Sequence, residues 1–339
     1  MNHKLPRFLA VCALAAALAA SLVPAIAQSI TTFDPPGSND TEPYGINSQG
    51  AITGYYYEVS GPARSFVRSK GGAISTFFVP EAFDGSFAVS INDGGVIAGY
   101  YLDHHGYGSF VRSSKGAITT FDVPGAGVDN FAYTIAISIN NKGTITGYYY
   151  RDNAFHGFVR SRQGTITTFD VPGGDGTYPF SINNEGAITG YYYDATGVPH
   201  GFVRAADGAI TTFDAPGDTY GTDPFGINDD GAITGYYGDA IGYHGFVRAA
   251  DSTITTFDGP SDINGTYAYS INDGGVITGY YRDATKNHGF VRAADSTITT
   301  FDVPGDTYGT YPQIINGSGV ITGYYNDGTG FTHGFVRTP

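Results

Sequence analysis

One segment recurs seven times, and that recurrence limits the possible folds more than any other property of the chain. The phenylalanine of "ITTFD" or its equivalent falls at positions 33, 77, 121, 169, 213, 257 and 301, spaced by 44 residues with a single interval of 48. The glycine of "GYY" and the arginine of "FVR" recur in step, the latter at Arg68, Arg112, Arg160, Arg204, Arg248, Arg292 and Arg337. Self-similarity at this period is the mark of a repeat architecture. Each copy offers four short runs rich in β-branched and aromatic residues, seen in the fourth as "PFSIN" (179–183), "AITGYYY", "HGFVR" and "AITTFD". Turn-forming letters separate them, and no window has apolar residues at helical spacing. Four strands in such a unit predict an all-β fold, a seven-bladed β-propeller of about 44-residue repeats.

A parallel β-helix is the competing all-β repeat, but its coils are shorter and its open ends need caps. The chain instead has an "ITTFD" strand near its start (30–34) and an "HGFVR" strand at its end (333–337). The last copy thus lacks the element that the first residues supply, and a ring closed by the N-terminal strand is expected. Closure would remove exposed sheet edges.

Residues 1–27 carry Lys4 and Arg7, an apolar run and Ala25-Ile26-Ala27, the pattern of a secretory signal peptide. The expected organisation is therefore a signal peptide over 1–27 and one seven-repeat domain over 28–339, secreted to an extracellular or periplasmic space. The single Cys and the single Met lie in the leader, so the remaining chain has no disulfide or thiolate chemistry. It has 15 Lys and Arg against 31 Asp and Glu, a net charge of −16. That charge opposes nucleic acid and anionic membranes, and no later apolar run is long enough to span a bilayer. A monomer is expected.

Five histidines occupy one slot, "HGFVR", and each has an aspartate in a companion slot: His156 with Asp170, His200 with Asp214, His244 with Asp258, His288 with Asp302 and His333 with Asp34. A hairpin turning at Asp207-Gly208 brings His200 and Asp214 to one end, so the expected role is a structural hydrogen bond within each sheet. Distribution around a ring argues against a common metal site. The seven "FVR" arginines are expected to lie on aromatic faces and pair with nearby Asp, cementing neighbouring blades. The asparagine of "IN..G" (Asn47, Asn92, Asn140, Asn183, Asn228, Asn272, Asn316) is expected to bond its own turn.

No catalytic residue, metal or cofactor is assigned. "NDDG" (228–231) and "NDGG" (272–275) lack the ligand series of a calcium loop, and no phosphate loop, G-x-S-x-G elbow or H-E-x-x-H is present. The irregular residues His104, His105, Glu81 and Asp84, with the longer third-copy loop (125–136), are where an enzyme would break the repeat. The turns after the second and fourth strands are the longer ones, and both emerge on one face, where binding usually resides. That face carries "GGDGTYP", "GDTYGTDP" and "GDTYGTYP". Its candidate ligand residues are Asp175, Tyr178, Asp218, Tyr220, Tyr267, Asp306 and Tyr308, a set of rings and carboxylates suited to stacking on sugars and accepting their hydroxyls.

The pattern of Ile227-Asn228, Gly231, Gly235 and His244-Gly245-Phe246 resembles the extracellular HAF-repeat family. The resemblance spans nearly all of the chain after the leader, with Gly where the family usually has Ala and "SFVR" without His in the first two copies. It implies a secreted, propeller-like protein and brings no biochemical activity. The expected function is non-catalytic binding of a carbohydrate or extracellular polymer. Adhesion to a protein is one alternative, and a propeller hydrolase or lactonase with a central metal is another.

Overall fold

A computed structural model describes residues 28–127 and 132–339. The leader expected over 1–27 lies outside the described residues, as do 128–131 of the long third-copy loop. Every described element is a strand, and no helix among the described residues is long and apolar enough to cross a membrane.

The fourth copy shows the unit. An inner strand (Gly176–Ile182), a second (Ile188–Tyr193), a third (Pro199–Arg204) and an outer one (Ile210–Phe213) pair antiparallel in chain order. The inner strand starts three residues ahead of the pattern read from sequence. The reason is local: the Val171 N–H donates to the Thr177 hydroxyl at 3.0 Å, and Tyr178 stands opposite Tyr191. Turn-forming letters are thereby held in the sheet. A bulge between Pro179 and Ser181 presses this strand onto the second. A Cβ at Gly190 would overlap the Tyr178 carbonyl oxygen, so the glycine of "GYY" is demanded by backbone contact.

The seventh copy supplies three strands, Gly309–Ile315, Ile321–Asn326 and Thr332–Thr338. Ser29–Phe33 pairs antiparallel with the last of them, Ser29 opposite Thr338 and Phe33 opposite Gly334. Hydrophobic cores lie between sheets, not within them. Ile227, Ile233, Tyr237 and Phe246 of the fifth copy pack on Ala187, Val203 and Phe213 of the fourth. Phe33, Ile46, Ile52 and Phe66 likewise pack on Ile314, Val320 and Val336 of the seventh. Each Phe of "FVR" is fully buried, a contribution of about 2 kcal/mol apiece.

Polar residues join the same neighbours. Each "FVR" guanidinium stands over the outer-strand Phe of the preceding sheet: Arg204 over Phe169 at 4.9 Å, Arg68 over Phe33 at 4.8 Å and Arg337 over Phe301 at 4.9 Å. The expected Asp partners are not found. Among the described residues none of the seven arginines has an Asp oxygen at ion-pair distance, and Arg204 Nε is buried without a hydrogen-bond partner. Burial on the ring lowers the Arg204 pKa from its ordinary value, and the π face takes the place that a carboxylate would have filled.

The repeated asparagine does more than cap its turn. Asn228 Oδ1 accepts the Ala232 N–H at 2.8 Å, while its amide donates to the carbonyl of Asn272 in the next copy at 3.1 Å. The relay passes through Asn183 to Asn228 and Asn272 to Asn316, and Asn316 donates to Asn47 at 3.0 Å. Asn228→Ala leaves a turn N–H and a neighbouring carbonyl unmatched and should lower stability by about 2 kcal/mol in urea unfolding. Asn228→Asp, which accepts but cannot donate, should be at least as damaging.

Candidate functional site

Each repeated histidine is gripped from both sides. His200 Nδ1 lies 2.8 Å from Asp214 Oδ1, and its Nε2 lies 3.4 Å from Asp194 Oδ2. His244 stands likewise between Asp258 (2.7 Å) and Asp239 (3.2 Å), and His333 between Asp34 (2.9 Å) and Asp327 (3.2 Å). His288 meets Asp302 at 2.9 Å and Asp283 at 3.1 Å. His156 pairs with Asp170 at 2.8 Å, but its Nε2 faces the Arg151 carbonyl at 3.0 Å. Each ring also packs on a second-strand tyrosine, as His200 does on Tyr192 with centroids 5.4 Å apart.

The second carboxylate was missed in the sequence, although an Asp stands five or six residues before four of the histidines. Asp194 organises the loop after the second strand, accepting from the Thr196 N–H and hydroxyl and from the Val198 N–H. The imidazole therefore ties this loop to the one that follows the outer strand. Both ring nitrogens are engaged, on opposite sides of the ring. Among the described residues no group of three or more His, Cys, Asp and Glu could hold a metal. Of the irregular residues, His104 packs against Phe83 with the rings tilted by 38° and centroids 3.8 Å apart, and the His105 N–H donates to Asp103.

The candidate ligand residues separate into three environments. Tyr220 and Tyr308 project from their loops, 63% and 57% exposed, and Asp175 is also exposed. Tyr178 and Tyr267 belong to inner strands and stack on Tyr191 (5.1 Å) and Tyr280 (4.9 Å). Asp218 and Asp306 turn inward, contrary to the expectation of open carboxylates. Asp218 accepts from the Gly221 N–H and the Thr222 hydroxyl. Asp306 does the same at Gly309 and Thr310, takes Lys286 Nζ at 3.0 Å, and has no exposed side chain. An aspartate followed by "xxGT" closes its own loop before any ligand arrives.

Two cavities lie where the inner strands meet. One, about 240 Å³, is lined by the Ile-Asn ends of all seven inner strands on the short-turn side. The other, about 400 Å³, is lined by Tyr44, Tyr55, Tyr100, Phe180, Phe225 and Tyr269 together with Val89, Ile137, Gln313 and four serines. Around it a ladder of rings passes from copy to copy, including Tyr55 to Phe87, Tyr148 to Tyr178 and Tyr236 to Tyr267. Glu42 Oε2 accepts from Tyr44 and Tyr55 hydroxyls at 2.8 and 2.9 Å. Burial first, and then mutual and Glu42 charge, drive the Tyr55 phenol far above its ordinary pKa.

The paired histidines set a pH dependence. Burial opposes the charged imidazole at His200, His244 and His333, but the flanking carboxylates outweigh it and raise the pKa above 6.5. A raised folded pKa stabilises below the unfolded value and loses that contribution as pH rises through the folded one. Asp194 and Asp327 are lowered, chiefly by their threonine hydrogen bonds, so their contribution is lost as pH falls below the ordinary range. Thermal melting across pH should therefore peak at about pH 5 and decline toward pH 8. His244→Gln should shallow the decline on the alkaline side.

By sequence, neither a family model nor a curated protein matches the chain, and the likeness to the HAF-repeat family rests on its motif residues. Solved structures do match. A streptogramin B lyase superposes with a TM-score of 0.61 at 16% identity, covering 91% of this chain and 96% of that one. The β-propeller domain of the Trilobed protease from Pyrococcus furiosus superposes at 0.62 with 9% identity, covering 88% and 94%. TolB from Acinetobacter baumannii superposes at 0.52 with 12% identity, covering 74% of this chain and 63% of that one. At these identities the likeness speaks to architecture alone, and together with the four-stranded sheets it makes this chain a β-propeller.

Proposed function

We propose that the chain is a secreted, non-catalytic binding protein, a monomeric seven-bladed propeller closed by its N-terminal strand, whose long-loop face takes a carbohydrate or extracellular polymer. Closure is supported by the pairing of Ser29–Phe33 with the last strand, by Arg68 over Phe33 and by the Asn316 to Asn47 bond. Without residues 28–34 the buried Phe335 and Tyr325 lose their cover, and stability should fall by about 3 kcal/mol or more, read as a lower urea midpoint.

One observation carries the binding reading. The exposed large hydrophobic side chains among the described residues are Tyr57, Val59, Phe83, Tyr220, Ile241, Tyr243, Ile263, Tyr308 and Phe331. Every one belongs to the loops after the second and outer strands, or to the strand ends beside them. The opposite face ends in short turns such as those at Gly186 and Gly208 and contributes none. A scaffold with no use for either face would scatter such residues over both. Tyr220 and Tyr308 stand in matching "GDTYGT" loops two copies apart, an arrangement suited to a ligand that itself repeats.

Polysaccharides on an array should retain the protein, and Tyr220→Ala with Tyr308→Ala should weaken retention about tenfold or more, at about 1 kcal/mol per ring. An array with no binder would sink the glycan reading. Protein adhesion is the second reading, favoured by Ile241 and Ile263, which offer sugars no ring face and are 87% and 58% exposed. Ile241→Asp with Ile263→Asp should abolish capture of a protein partner and leave polysaccharide binding intact.

A further inference from the structure

The aromatic cavity of about 400 Å³ is within the size range of small-molecule sites, roughly 300–1,000 Å³. Its lining is rings, aliphatic side chains, hydroxyls and one amide, with no cationic side chain among them. No carboxylate lines it, but Glu42 and Asp223, in the same inner-strand slot of the first and fifth copies, stand opposite rings that form or back its wall. Glu42 is already held by the hydroxyls of Tyr44 and Tyr55. Asp223 is different. It occupies the inner-strand slot filled by Tyr178, Tyr267 and Tyr311 in the fourth, sixth and seventh copies. It stands opposite Tyr236, and the lining residue Phe225 stacks on that same ring at 5.2 Å.

Among the described residues no hydrogen bond to the Asp223 carboxylate is found, and only burial and the Asp218 charge act on it. The carboxylate is half-buried and still open to solvent, and beside phenol rings a cation would stabilise its charged form. The titratable groups that face it are Asp218 from the preceding loop, Tyr191 on the neighbouring sheet and Tyr236 on its own. None can supply a positive charge. The guanidinium of Arg282 in the sixth copy acts on Tyr267 and Tyr280, but Arg282 is exposed and does not line the cavity.

We propose that the central cavity binds an organic ammonium group, held against the faces of Phe225, Phe180 and Tyr269 with its charge answered by Asp223. Aromatic faces attract a quaternary or substituted ammonium through the ring quadrupole, and more strongly where water is excluded. A carboxylate one step beyond the rings supplies the counter-charge without the tight donor geometry that a small ammonium would demand. This site goes beyond the loop-face binding proposed above and shares no residue with Tyr220, Tyr308, Ile241 or Ile263.

Choline and its neutral isostere 3,3-dimethylbutan-1-ol distinguish charge recognition from simple filling of an apolar cavity. Titration calorimetry on the full chain should find choline bound at least about tenfold tighter than the isostere. Asp223→Asn should remove about that advantage, and Phe225→Leu should weaken choline while leaving the isostere unchanged. Burial, then the Asp218 charge, push the Asp223 pKa up to about 6, so choline binding should weaken as pH falls below that value. Asp223→Asn relieves an unpaired carboxylate, so its melting temperature should hold or rise, and a folded variant is expected. Tyr220→Ala with Tyr308→Ala should leave choline binding untouched, which separates this result from success or failure on the glycan array. Equal binding of the isostere, binding of neither probe, or an Asp223→Asn variant with unchanged affinity would each overturn the proposal.

Discussion

Each four-stranded sheet is apolar on faces that only the next sheet can cover, and the packing of Phe246 against Phe213 across that gap is the contact on which the remaining structure depends. A single copy would expose its Phe, Ile and Tyr to water, so copies are stable only in company. The first and last sheets face the same requirement, which the packing of Phe33 and Phe66 on Val336 and Ile314 meets. Glycines fall where the outer-strand ring of the same sheet leaves no room for a Cβ. At Gly201 an added Cβ would meet the Phe213 ring at 2.7 Å.

Polar repeats follow from the same geometry. Asn228 and Arg204 both bridge to a neighbouring sheet, one through an amide donated to a carbonyl and one through a guanidinium laid on a ring. Both are groups that would be unmatched in an isolated copy. The histidines act differently, since His200 joins two loops of one copy through Asp194 and Asp214. Repetition of these residues is therefore explained by sheet-to-sheet and loop-to-loop bonding, and their number says nothing about catalysis. Function is to be sought where copies differ or where side chains have no internal partner.

Two places answer that description. On the long-loop face, Tyr220 and Tyr308 remain in solvent after Asp218 and Asp306 have closed the loops that carry them. In the centre, Asp223 stands in a slot that three other copies fill with tyrosine and the first fills with Glu42, and among the described residues no side chain donates to its carboxylate. The first is a repeated feature and fits an extended ligand. The second differs from its counterpart Glu42, whose carboxylate two tyrosine hydroxyls hold.

Much of this was legible in the chain itself, because short β-branched and aromatic runs between turns and a 44-residue period are one-dimensional properties. The strand quartet, the hairpin that sets His200 beside Asp214, and the side on which the long loops emerge all follow from local spacing. What spacing could not reveal is which polar group meets which across a gap between sheets. Arg204 was expected to find an aspartate and finds Phe169; Asn228 was expected to serve its own turn and also holds Asn272; Asp306 was expected to be open and is enclosed by Lys286, Gly309 and Thr310. Sequence alone determined the unit and its repetition, since both depend on neighbours along the chain. Only the tertiary structure decided the partners, since burial and the distance between sheets choose among donors and acceptors that are 44 residues apart.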